Sequence, residues 1–146
     1  MNQQQRKELG LVKVMLDDIS SDAESAADHI YGDDCEFTTA KQVHARYFDD
    51  LSNRIDNVMD QVTEQLEAEQ GKFDNLSESL QEGPTGERIQ QAIESLETAQ
   101  SCIEEAQDRC AKPDDETTVE EMADELMEVS RCLGEACEAI DDACSV

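Results

Sequence analysis

Apolar residues recur along this chain at alternating spacings of three and four, in four separate stretches. The first stretch reads Leu9, Val12, Leu16, Ile19, Ala23, Ala26 and Ile30. The second reads Phe48, Leu51, Ile55, Val58 and Val62, after which Gln65 breaks the count and Leu66 takes over. The third runs Ile89, Ala92, Leu96, Ala99, Ile103, Ala106 and Cys110, and the fourth Val119, Met122, Leu126, Val129, Leu133, Ala136 and Ile140. Such spacing keeps one stripe on one face of an α-helix, the pattern of coiled coils and bundles. Chance could supply two or three heptads in one segment, but hardly in four. The expectation is an all-α protein of elongated antiparallel helical hairpins, or a four-helix bundle, with coiled-coil-like seams. One domain, 1–146, should hold helices over about 3–31, 40–70, 86–111 and 118–144, with a short corner over 73–82.

The residues between the stripes agree. Gly32, Asp33 and Asp34 end the first helix. Thr39 with Gln42, and Thr118 with Glu121, have the spacing of capping boxes, in which each side chain satisfies the other's free backbone N–H. Gly71, Asp74 and Asn75 interrupt the second stretch, and Gly83-Pro84-Thr85-Gly86 precedes the third. Lys112-Pro113-Asp114-Asp115 is a link short enough to force the third and fourth helices into an antiparallel hairpin. In the third seam the large column Ile89, Leu96, Ile103, Cys110 alternates with the small column Ala92, Ala99, Ala106, which lets a neighbouring helix approach closely. An offset of 30 aligns Cys102 with Cys132 and Glu105 with Glu135; two heptad helices often resemble each other without duplication.

In the corner, Asp74 or Asn75 can cap a short helical turn. Phe73, Leu76 and Leu80 would then form an apolar plug beneath it, fixing the angle between hairpins.

Charge changes the picture most. The chain has 37 acidic against 11 basic residues, a formal net charge of -26, with 3% aromatic residues and no Trp. Direct binding to nucleic acid phosphates or to an anionic membrane needs a basic face, so neither is expected. No apolar run approaches the length of a membrane span. Residues 1–73 hold 16 acids and 7 bases, whereas 74–146 hold 21 and 4. The fourth helix alone presents Glu120, Glu121, Asp124, Glu125, Glu128, Glu135, Glu138, Asp141 and Asp142, with Arg131 its only base. Nine charges over about 40 Å of axis is about one per 4.5 Å. Two such helices side by side approach one per about 2 Å, against about 1.7 Å for duplex DNA.

Catalytic chemistry finds little support. Di-iron bundles need Glu-x-x-His pairs facing the core, and this chain has none. Glu121-x-x-Asp124, Glu125-x-x-Glu128 and Glu94-x-x-Glu97 have a magnesium-binding spacing, but they lie on or beside the solvent face, and so acidic a chain contains such pairs without function. There is no EF-hand loop, no Gly-rich phosphate loop and no nucleophile elbow. His29 and His44 read as terminal or surface residues. Cys35, Cys102, Cys110, Cys132, Cys137 and Cys144 contain no C-x-x-C pair, and MNQQQRKELG has no apolar signal core, so reduced cytoplasmic thiols are expected. No catalytic residue, cofactor or metal site is expected.

Residues 73–99, FDNLSESLQEGPTGERIQQAIESLETA, carry a resemblance. The segment is similar to one found in small acidic helical proteins of tailed bacteriophages and prophages, of the form F-D-N-L-P-E-x-L-Q, then G-E, then A-I-x-x-L-E-x-A. The matching positions are Phe73, Asp74, Asn75, Leu76, Glu78, Leu80 and Gln81, then Gly86 and Glu87, then Ala92, Ile93, Leu96, Glu97 and Ala99. Ser77 stands where the family has proline, and Gly83-Pro84 is extra. The specific likeness covers less than a fifth of the chain. It implies a phage origin and helical hairpins, and brings no catalytic residues with it.

The expected function is therefore binding. A rigid acidic rod can occupy a groove built for nucleic acid, so the leading expectation is a DNA-mimic inhibitor of a host defence or nucleic-acid-processing complex. Its partner would be the basic surface of a host protein in the host cytoplasm, contacted through the nine acids of the fourth helix. A phage scaffold or chaperone-like accessory is the alternative, recognisable by a spare apolar stripe that the even heptads do not show. A third reading takes the acidity as solubility or salt adaptation. A homodimer stays open at this point, as does whether the hairpins close into one bundle.

Overall fold

The structure, a computed structural model, describes all of residues 1–146. It contains helices α1 (Gln3–Tyr31), α2 (Ala40–Val43), α3 (Asp49–Asp74), α4 (Glu78–Gln81), α5 (Pro84–Asp108) and α6 (Val119–Ser145), and no strand. A π-helical turn, His44–Phe48, joins α2 to α3 without a break in the chain's helical course.

The four long helices close into one bundle. Going round it, α1 is followed by α3, α5 and α6, which returns to α1. Every neighbour is antiparallel, as the cross-links show. Arg54 reaches Asp22 and Gln65 reaches Glu8 between α3 and α1, while Gln100 meets Thr63 and Gln107 meets Ser52 between α5 and α3. Arg131 reaches Glu105 between α6 and α5, and Lys13 reaches Asp141 between α1 and α6.

Each of the four stripes points inward, and 32 buried residues form one continuous core. Leu9, Leu16, Ile55, Leu96, Ile103, Leu126 and Leu133 are fully enclosed. Each such side chain contributes about 1.5–3 kcal/mol relative to leaving it in water. The small column performs as its spacing predicts: Ala92, Ala99 and Ala106 of α5 and Ala123, Ala136 and Ala143 of α6 are buried.

Caps explain the helix starts. Thr39 and Gln42 form the full reciprocal box, and the Thr118 hydroxyl accepts from the Glu121 N–H. A box the sequence reading missed, Asn2 with Gln5, opens α1. Helix α5 starts at Pro84, two residues ahead of expectation, with proline in the first turn where its missing N–H does no harm. It stops at Asp108, three residues short.

The region around residue 70 corrects the sequence reading. Helix α3 does not stop at 70 but runs through Gly71 to Asp74, because the seam continues in polar form. After Val62 it passes to Gln65 and Glu69, both buried, with Glu69 wholly so. Gln5, four residues before Leu9 on α1, is also buried. Lys72 Nζ donates to Glu69 at 2.8 Å and to the Gln5 side-chain oxygen, and Gln65 donates to Glu8 at 2.6 Å. One end of the bundle is thus sealed by a polar layer.

The corner is built differently from the apolar plug expected. Asp74 and Asn75 end α3 rather than starting the short turn, which begins after Ser77. Phe73 and Leu76 are only half-buried and Leu80 is 50% exposed, so none of the three is a plug. The Gln81 side chain holds the corner instead, donating to the Phe73 and Leu76 carbonyls at 2.9 and 3.3 Å. Gly86 allows α5 to lie against this turn, since a Cβ there would come within 2.0 Å of the Gln81 carbonyl oxygen.

Candidate functional site

The nine acidic residues singled out on α6 all lie on its solvent-facing side, and none is buried. Burial of the opposite face against α1 and α5 leaves them there. Their surroundings differ, however. Glu120 and Glu121 stand in the first turn without a cation, and Asp124 accepts the Tyr31 hydroxyl from the end of α1. That bond pushes the Tyr31 phenol up to about 12. Glu125 pairs with Arg109 at 3.4 Å. Glu128 and Glu135 both grip Arg131 at 2.8 Å, with Glu105 of α5 a third carboxylate at 3.3 Å. Asp141 holds Lys13 at 2.6 Å, which raises the Lys13 ammonium above its ordinary value through that hydrogen bond.

Five of the nine therefore take part in contacts within the protein. Glu120, Glu121, Glu138 and Asp142 make no ion pair. The run is also split: the stretch from Val129 to Gly134, which carries Arg131 and no acid, separates an upper group, Glu120 to Glu128, from a lower group, Glu135 to Asp142. No three His, Cys, Asp or Glu side chains converge as a set of metal ligands.

Burial disfavours the thiolate at five of the six cysteines. All six are free. Burial, reinforced for Cys137 by a hydrogen bond to Asp17, pushes the Cys110 and Cys137 thiols up to about 12 and Cys132 to about 11. Cys102 and Cys144 are raised by burial as well.

A second feature was missed in the sequence. Four of the five Phe and Tyr residues and both His fall within residues 29–48, and the fold gathers them at the bundle end opposite the polar layer. His29 meets Phe37 edge-on at 6.2 Å, and Phe37 meets Tyr47 at 5.7 Å. His44 is a correction: it is buried, lies parallel to Phe48 at 5.5 Å, and its Nε2 contacts the Cys110 carbonyl at 3.0 Å. It occupies the seam position four residues before Phe48, so it belongs to the interior and not to the surface. The composition signal was there, but a search for catalytic spacing passes over it.

Beside this cluster, a cleft of about 370 Å³ opens between α1 and the π-turn. Ala26 and Leu51 form its apolar floor, with Ser25 and the Tyr47 ring at its walls. Arg54 is tied to Asp22 at 2.7 Å and to Asp50 at 3.5 Å. Arg46 projects from the π-turn over the Tyr47 ring, 5.3 Å from its centroid, and makes no ion pair.

No helix is long and apolar enough to cross a membrane. Compared with known proteins, the chain matches no family model, no curated protein and no solved structure.

Proposed function

We propose that this protein acts by binding and not by catalysis, presenting its acidic surface to the basic surface of another macromolecule. The finer reading is a phage-encoded DNA mimic that occupies the nucleic-acid groove of a host defence or processing complex in the host cytoplasm. The observation that supports it is the array of exposed carboxylates along α6, of which Glu120, Glu121, Glu138 and Asp142 have no cation, on a closed bundle. A partner gripping that array would gain counterion release, as it does on DNA, and would lose affinity steeply with salt.

The ion pairs determine how to test this. Reversing Glu125 or Glu128 would also release Arg109 or Arg131. Reversing Glu120, Glu121, Glu138 and Asp142 to Lys breaks no pair. The quadruple variant should keep its helicity and lose the partner captured from host lysate, and duplex DNA should displace that partner from the native protein. A partner that survives the reversal, or that DNA fails to displace, rules out mimicry.

One observation favours the second reading, a structural or assembly accessory. Leu11 and Val14 sit side by side on the outer face of α1, 60% and 57% exposed. The expectation of no spare apolar face fails at that pair. On this reading Leu11→Ser with Val14→Ser abolishes binding, and salt has little effect.

A further inference from the structure

The cleft between α1 and the π-turn has features that the acidic-surface reading leaves unused. Its volume, about 370 Å³, falls in the usual range for small-molecule sites, roughly 300–1,000 Å³. One aromatic ring, Tyr47, lines it and in turn meets Phe37. Its entrance is set by a π-helical turn, a rare feature that recurs at functional sites because it re-aims side chains. Here it places Arg46 and Tyr47 together at the cleft.

The charges around the cleft define what would fit. Two guanidinium groups, Arg46 and Arg54, face two carboxylates, Asp22 and Asp50, so the lining is balanced while the whole chain carries -26. Arg54 is occupied by both carboxylates, held closely by Asp22 and loosely by Asp50. Arg46 is occupied by neither, and its guanidinium fork matches a carboxylate in two-point contact. A simple anion would have to approach against the field of the entire protein. A simple cation would leave Arg46 unused and would find carboxylates elsewhere on the surface. A ligand with both charges meets neither objection.

We propose that this cleft binds a small zwitterion, one carboxylate and one ammonium on an apolar body, of which a free α-amino acid is the simplest case. The carboxylate lies on Arg46, with the Ser25 hydroxyl as a second donor. The ammonium lies on Asp50, whose bond to Arg54 is the long one. The body rests on Ala26, Leu51 and the Tyr47 ring. This site is independent of the acidic face of α6 and stands or falls separately.

The test is an amide NMR titration of the full chain with L-phenylalanine, and with L-leucine as the smaller body. At least one should give saturable shifts confined to residues 22–26 and 44–54, at millimolar affinity. Phenylacetate and phenethylamine, each with half the charge pattern, should bind at least tenfold more weakly. Arg46→Ala should reduce the affinity at least tenfold. Arg88→Ala, which removes an exposed cation at the other end of the bundle, should change nothing. The proposal is overturned if neither amino acid gives saturable shifts, if phenylacetate binds as well as phenylalanine, or if Arg46→Ala binds like the native protein.

Discussion

The α5–α6 pair and the α1–α3 pair solve the same packing problem with different chemistry. Between α5 and α6 the seam stays apolar, with Leu96, Ile103, Leu126, Val129 and Leu133 set among alanines. Between α1 and α3 it is apolar as far as Leu9 and Val62, and then Gln5, Gln65 and Glu69 take the inward positions. The phase of the repeat is unchanged across that transition. Spacing and polarity are thus separate properties of a heptad stripe: the spacing decides which side chains face inward, and the side chains decide what that costs. In the polar layer the Gln5 amide nitrogen, the Gln65 amide oxygen and one Glu69 oxygen have no protein partner, and a buried polar atom without one is destabilising by about 1–3 kcal/mol.

The contrast can be broken or sharpened by mutation. The largest effect belongs to the apolar pair, where Leu126→Ala should cost about 2–5 kcal/mol in denaturant unfolding through lost burial and the cavity left behind. A loss under 1 kcal/mol would show that α5 and α6 pack more loosely than the buried areas imply.

Next comes the corner joining the two pairs. Gly86→Ala forces a methyl against the Gln81 carbonyl and should destabilise by about 1–3 kcal/mol. Gln81→Leu, which removes the side-chain bonds but adds no clash, should cost less. Equal losses would mean that Gly86 has no special role.

The polar layer should respond with the opposite sign. Replacing a buried ion pair as a whole with apolar residues of similar volume is often neutral or stabilising, by about 1–4 kcal/mol, whereas removing one partner alone is destabilising. Glu69→Leu combined with Lys72→Met should therefore raise the unfolding midpoint, and Glu69→Leu alone should not. A marked loss of stability in the double variant would show that the layer holds α1 and α3 together and is not tolerated by them.

The smallest effect follows from the thiols, which are concentrated on the α5–α6 side. The Cys110 and Cys137 thiols are pushed up to about 12 by burial, so between about pH 9 and 12 the unfolded chain loses protons that the folded chain keeps. Stability then falls as pH rises through that window. Thermal melts at pH 8 and 10.5 should show the drop, and Cys110→Ala with Cys137→Ala should flatten it. A drop of the same size in the double variant would place its origin elsewhere, with Tyr31 the next group to test.

Much of this fold can be read before any coordinates. The four stripes, the capping box at Thr39 and the small column of α5 follow from local periodicity, and local periodicity is a property of sequence alone. What escaped has one common cause. Counting only apolar residues hides inward positions filled by polar ones, so His44, Gln5 and Glu69 are passed over and Gln65 reads as a break, although each continues a three-four step. The closure of the hairpins and the division of the α6 acids into paired and unpaired depend on which helix lies alongside, and no spacing within one helix reports that. The Gln81 bonds to Phe73 and Leu76 are likewise made by the bend itself.

The π-turn at His44–Phe48 has a consequence for how the gene could change. A π-turn is an α-helix carrying one residue more than its hydrogen-bonding pattern needs. Deleting the codon for exposed Ala45 would let the turn relax to an ordinary α-helix with the phase of both flanks kept: Ala40, Val43, Phe48 and Leu51 would then follow one another at steps of three, four and three. In a regular α-helix the same deletion rotates one flank against the other by about 100°. A frame-preserving loss of a single surface residue, disruptive in most helices, would here leave the core positions in place and alter only what the turn itself presents.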